Sequence, residues 1–138
     1  MSDEATGPGG VIRVLVAEDM RILRETLVAL FSLEEDIEVV AQVAAGTGIV
    51  SAAIEHRPDV ALLDIGLPDA DGLSAAAELA GRLPDCKVVV LTADGTPDMR
   101  QRALAASVSR FLLKDVPADT LLDAVRSAAG QAGSRRPG

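Results

Sequence analysis

Four short apolar runs in this 138-residue chain end in polar groups. Glu18 and Asp19 follow "VLVA", Asp64 closes "VALL", Thr92 closes "VVVL", and Lys114 follows "RFLL". Each has an ordinary explanation on its own. An acid after a strand is commonly a helix N-cap, Asp ahead of Gly and Pro favours a turn, Thr is a good strand former, and a lone Lys is mostly a solvated charge. Brought to one point, three carboxylates, a hydroxyl and an ammonium specify a narrower chemistry. Packed carboxylates repel one another unless a cation sits among them, and oxygen-only ligation selects Mg²⁺ or a similar hard ion. Such an ion takes few protein carboxylates and completes its shell with water and phosphate oxygens. Lysine is no ligand, but its ammonium, like a threonine hydroxyl, can neutralise a phosphoryl oxygen. The sequence offers no Ser–His or Cys–His pairing and no Walker-type glycine loop, and the sole histidine, His56, reads as a surface residue at a helix end. The remaining nucleophile is a carboxylate, which would form an aspartyl phosphate. Phosphoryl transfer asks of a protein chiefly positioning and charge neutralisation.

These groups need elements that bring them together. Strand-like runs cover residues 11–17, 37–44, 60–64, 87–92 and 110–113, and helical spacing covers 20–33, about 48–56, 72–83, 97–106 and 117–129. In the first helix, Ile22, Leu23, Leu27, Leu30 and Phe31 are expected on one face, with Arg21, Arg24 and Glu25 pointing elsewhere. Thr96 before Pro97 reads as an N-cap followed by proline at the first helical position. Five strands, most of them near-continuously apolar, alternating with five helices predict an α/β fold, a doubly wound parallel sheet with helices on both faces. The commonest arrangement at this size is the flavodoxin-like strand order 2-1-3-4-5. Ligands then bind at the carboxyl ends of the strands where the order reverses, between strands 1 and 3. Every polar group named above falls on that edge, and strand 2 contributes none.

Length and composition are consistent with this. A single domain over residues 11–130, flanked by tails at 1–10 and 131–138, would bury roughly two-thirds of its unfolded surface. No apolar run approaches the ~18 residues of a membrane span, and "MSDEATGPGG" has no secretory pattern. The expectation is a soluble, cytoplasmic protein with no membrane partner. Thirteen Lys and Arg against 21 Asp and Glu leave a net charge of -8, the wrong sign for holding nucleic acid by its phosphates. The single cysteine, Cys86, excludes an internal disulfide and cannot build a zinc site alone. It is expected as a small apolar residue near the start of a strand.

"VLVAED", "DVALLDIGLPDADG", "VVVLTA" and "RFLLKD", in that order, resemble the receiver domain of bacterial two-component response regulators. The resemblance covers roughly residues 11–130. It implies that Asp64 accepts a phosphoryl group from a sensor histidine kinase. Asp19, Glu18, Asp64 and the backbone carbonyl of Gly66 would hold Mg²⁺, and Thr92 and Lys114 would contact the phosphoryl group. Phe111 would match the aromatic that moves with Thr92, and Ala93 would leave room for the incoming group. The domain would catalyse only its own phosphorylation and dephosphorylation, and is not expected to be an enzyme otherwise. Gly66, with no side chain to shield the phosphoryl group, is expected to favour turnover, and Asp94 could orient or repel a water.

Some positions depart from the family pattern. Ser107 and Arg110 stand where related receivers usually carry glycines, which makes a left-handed helix C-cap less comfortable. Pro117 lies one residue beyond the commonest spacing from the lysine, so the family's Lys–Pro cis peptide does not carry over to this chain by resemblance. A haloacid-dehalogenase-like phosphatase would need a second acid where Gly66 stands, and a pseudo-receiver would be expected to have lost Asp64, Lys114 or one of the acidic pair. "RILRETLVALFSLEEDIEVVAQVA" also resembles receivers that precede a LuxR-type helix-turn-helix domain. The tail "GQAGSRRPG" reads as the start of a linker to such a domain, with a stand-alone regulator as the other reading. Homodimerisation on phosphorylation, and no DNA binding by this chain alone, complete the expectations.

Overall fold

The structure, a computed structural model, describes residues 10–65, 72–93 and 95–132. Five parallel strands, β1 (Ile12–Ala17), β2 (Ile37–Val43), β3 (Val60–Asp64), β4 (Lys87–Thr92) and β5 (Arg110–Leu113), form one sheet in the order β2-β1-β3-β4-β5. The helices are α1 (Arg21–Ser32), α2 (Ile49–His56), α3 (Gly72–Arg82), α4 (Pro97–Ala105) and α5 (Ala118–Ala132), with a 3₁₀ turn at Gly46–Gly48 ahead of α2. The expected α/β class, strand order and helix count are those observed.

The apolar runs are continuous because the central strands are covered on both faces. Every residue of β3 is buried. Side chains alternate across a sheet. Val14, Val16, Val60, Leu62, Val89 and Leu91 therefore pack with Leu27 and Phe31 of α1 and Leu121 and Val125 of α5. Leu15, Ala61, Leu63, Val88 and Val90 face the other way, onto Ile49 and Ala53 of α2, Leu79 of α3 and Ala103 of α4. Each fully buried Leu, Val or Phe contributes about 1.5–3 kcal/mol relative to exposure. Cys86 is buried just ahead of β4, as expected, and burial pushes its thiol up to about 11.

One helix-face expectation fails. Ile22 is 79% exposed, whereas Leu27 and Phe31 are buried and Leu23 and Leu30 are half-buried. The core stripe of α1 runs through positions 23, 27, 30 and 31. Ile22 instead shares the next stripe with Thr26, Ala29 and Leu33, all of them exposed. At the far end of α1, Arg126 of α5 forks onto Asp36 with bonds of 2.8 and 2.8 Å and reaches Glu34 at 2.7 Å. The guanidinium holds the Asp36 carboxyl below its usual range.

The helix ends follow the local sequence. Thr96 caps α4, its hydroxyl accepting from the Met99 N–H at 3.3 Å ahead of Pro97. At the other end, Ser107 N–H donates to Leu104 O at 3.1 Å and Val108 N–H to Ala103 O at 3.2 Å. That pair of bonds is a Schellman closure, which puts Ser107 in the position usually held by glycine. Ser107 adopts φ 65° there. Arg110 does not share this strain, because it opens β5 in extended conformation. Arg57, with φ 50°, takes the same left-handed role at the end of α2 ahead of Pro58, which was not anticipated. Ser107→Gly is expected to raise unfolding free energy by about 0.5–1 kcal/mol, the relieved left-handed strain outweighing the added chain entropy. Urea unfolding followed by far-ultraviolet circular dichroism checks this, and an unchanged or lower midpoint would count against it.

Candidate functional site

The sheet order reverses between β1 and β3, and the pairing of Ala17 with Leu63 sets the residues that follow them side by side. Asp64 pairs with Leu91, and Thr92 with Leu113. The N–H of Lys114 donates to Thr92 O at 2.8 Å. In this way the strand ends carry Glu18, Asp64, Thr92 and Lys114 along one edge.

Glu18, Asp19 and Asp64 each offer a carboxylate oxygen, and these oxygens lie within 4.8 Å of one another. Glu18 is 0% exposed, Asp64 3% and Thr92 4%, while Asp19 is exposed. The acids are not caps. The N-cap of α1 is Met20, which makes no side-chain capping bond, and no acid lies in the first turn. Glu18 instead turns back on the site. Its N–H donates to Val43 O at 2.9 Å, its Oε2 accepts from the Met20 N–H at 3.1 Å, and its buried Oε1 has no hydrogen-bond partner. Burial, and then the neighbouring Asp64 carboxylate, push the Glu18 carboxyl up to about 7.

Lys114 supplies a counter-charge. Its Nζ donates to Asp64 Oδ2 at 2.7 Å and stands 3.6 Å from Glu18 Oε1, an ion-pair separation too long for a hydrogen bond. Partial burial works against the ammonium, but its pairing with Asp64 and Glu18 outweighs this and holds its pKa above the usual lysine value. One lysine cannot balance three carboxylates. That deficit, and the unpartnered Glu18 Oε1, fit a hard divalent cation, which Glu18, Asp19 and Asp64 would hold. Gly66 and Asp94, expected to help with the metal and with water, lie outside the described residues.

Thr92 and Phe111 project to the same side of the sheet, because Thr92 follows Val90 by two residues and Val90 pairs with Phe111. Phe111 is half-buried against the α2–α4 face, with the Arg100 guanidinium 4.6 Å from its ring centroid. Ala93 lies exposed just beyond Thr92. Pro117 precedes α5, and no cis peptide occurs among the described residues. His56 ends α2, its carbonyl accepting from Arg13 at the opposite edge of the sheet. It takes no part in the site.

Two contacts were not anticipated. Arg24, expected to point away from the core face, is half-buried, and its Nη1 donates to Glu18 O at 2.8 Å. The second is the role of Gly72. A Cβ there would lie 2.9 Å from Ile65 Cα, so the start of α3 closes directly on the backbone that follows Asp64. Gly72→Ala is expected to cost about 1–3 kcal/mol by overpacking. Thermal melting checks this, and an unchanged midpoint would show that Ile65 yields freely.

Comparison with known proteins agrees with this geometry. The sequence profile of the response regulator receiver domain matches residues 14–126. The transcriptional regulatory protein DesR of Bacillus subtilis is 39% identical over 117 residues, covering 85% of this chain and 58% of DesR. The response regulator protein VraR of Staphylococcus epidermidis is 37% identical over 115 residues, 83% of this chain and 55% of VraR. This chain thus spans little more than half the length of these curated relatives. Among solved structures, the signal receiver domain of NarL from Mycobacterium tuberculosis superposes with a TM-score of 0.83 at 32% identity, covering 86% of this chain and 96% of that one. Profile, relatives and fold agree, and the chain belongs to the receiver domain family of two-component response regulators.

Proposed function

We propose that Asp64 accepts a phosphoryl group from the phosphohistidine of a sensor histidine kinase, and that this switches a protein-binding surface. The observation that carries the reading is Asp64 itself: a carboxylate 3% exposed at the reversal edge, bonded to Lys114 at 2.7 Å and flanked by Glu18 and Asp19. An Asp64 oxygen would form the new P–O bond as the P–N bond to the kinase histidine breaks. Glu18, Asp19, Asp64 and the carbonyl of Gly66 would hold Mg²⁺. When bound, that ion supplies charge neutralisation for the phosphoryl oxygens. Lys114 would exchange its bond to Asp64 for one to a phosphoryl oxygen, and the Thr92 hydroxyl would donate to another.

Drawing Thr92 inward opens space on the side of the sheet it shares with Phe111, so a local charge becomes a packing change on the face of α4, β5 and α5. The readout is dimerisation, there or at the surface of α1 and α5. In a longer chain it would control transcription through a DNA-binding output domain. With a net charge of -8, the receiver alone does not hold duplex DNA at physiological salt. The reading is tested by intact-mass measurement after incubation with acetyl phosphate. One added phosphoryl group with Mg²⁺ and none after chelation is the expected result, and equal modification in both would overturn it.

A further inference from the structure

We propose that Arg24 is a positioning residue for the cation site, acting through the backbone of Glu18. This rests on the phosphoryl-transfer reading above and extends it to a residue outside the carboxylate set. The three residues from Glu18 to Met20 carry both members of the acidic pair. Among the described residues, the backbone of this segment is tied by the Glu18 N–H to Val43 O, by the Met20 N–H to Glu18 Oε2 at 3.1 Å, and by the Met20 O that accepts the first helical bond from the Arg24 N–H at 2.8 Å. No side chain caps α1. The Glu18 carbonyl, at the end of the strand, receives Arg24 Nη1 at 2.8 Å instead. Arg24 thus grips the segment twice, by main chain at Met20 and by guanidinium at Glu18. The neighbouring cation Arg21 cannot substitute, because it is engaged with Glu25 at 2.8 Å on the exposed side of the helix.

Charge and geometry make opposite predictions for Arg24. As a bare positive charge near the acids it would repel a divalent cation, and removing it would tighten binding. As the residue that holds the Glu18 main chain, it aims a fully buried carboxylate with an unpartnered oxygen at the cation, and removing it loosens that aim. The hydrogen bond is charge-assisted and partly buried, so the geometric effect is the larger.

The test is isothermal titration of wild type, Arg24→Met and Arg24→Lys with Mg²⁺, alongside acetyl phosphate uptake as a function of Mg²⁺ concentration. Supporting contacts of ligands are commonly worth ten- to a hundredfold in metal affinity, and because this one acts through main chain, Arg24→Met should weaken Mg²⁺ binding roughly tenfold. The Mg²⁺ concentration for half-maximal uptake should rise by the same factor, with the maximal rate at saturating Mg²⁺ little changed. Arg24→Lys, which keeps a donor and a charge, should recover part of the loss. It also serves as the folded comparison should the Met variant melt early. Tighter or unchanged Mg²⁺ binding in Arg24→Met, with wild type binding and reacting normally, overturns the role of Arg24 and leaves the phosphoryl-transfer reading intact. Wild type that neither binds Mg²⁺ nor gains mass removes both.

Discussion

Asp64→Asn should take up no phosphoryl group from acetyl phosphate at any Mg²⁺ concentration, the largest effect expected of any single change. Asn keeps the shape and one acceptor oxygen, so the strand end and its packing survive. What is lost is the nucleophile: a neutral amide oxygen attacks phosphorus poorly and gives no stable acyl phosphate, and among the described residues no other carboxylate is placed to substitute. Glu18 is fully buried and turned onto Met20 and Lys114. Asp19 is exposed and lies beyond the strand end. Asp19→Asn should react, but only at higher Mg²⁺, since one ligand of the cation is weakened and the nucleophile is untouched. Intact mass and peptide mapping of the two variants separate these roles. Modification surviving in Asp64→Asn at the wild-type level would move the acceptor elsewhere and sink the assignment.

Much of this arrangement could be read from the sequence because the signals were local. A strand buried on both faces has to be apolar at every position, so "VALLD" announces both itself and its polar end. Thr96 followed by Pro97 fixed the start of α4 for a similarly local reason. Periodicity was less sharp on α1. Adjacent residues on a helix differ by about 100°, and Ile22, next to Leu23 in sequence, falls on the solvent stripe. The contacts missed altogether join distant or unlike parts of the chain. Arg126 meets Asp36 across 90 residues, and Arg24 reaches a backbone carbonyl, which carries no mark in the sequence. Gly72 shows an intermediate case. Its place at the start of a helix was legible, but its close approach to Ile65 depends on how α3 docks.

Lys114→Met should change cation affinity and chemistry in opposite directions. The ammonium sits 2.7 Å from Asp64 Oδ2 and 3.6 Å from Glu18 Oε1, where it partly satisfies the carboxylates that would hold the metal. It therefore competes with the cation for Asp64 and repels it. Removing one such charge at an effective dielectric near 20, where a unit-charge pair ~4 Å apart is worth about 4 kcal/mol, should tighten Mg²⁺ binding by at least about tenfold. Without metal the variant need not unfold. Glu18, already pushed up to about 7 by burial and by Asp64, takes up a proton instead of remaining an unpaired buried charge. Mg²⁺ should thus raise the melting temperature of the variant more than that of wild type, because the gain from a ligand grows with its affinity for the folded state. Phosphoryl uptake should fall roughly 10²–10³-fold even at saturating Mg²⁺, the typical loss when one preorganised donor to developing charge is removed. Calorimetric titration and uptake kinetics measure the two effects separately. Equal or weaker Mg²⁺ binding in Lys114→Met would show that the lysine supports the cation site; uptake at the wild-type rate would show that it does not meet the phosphoryl group.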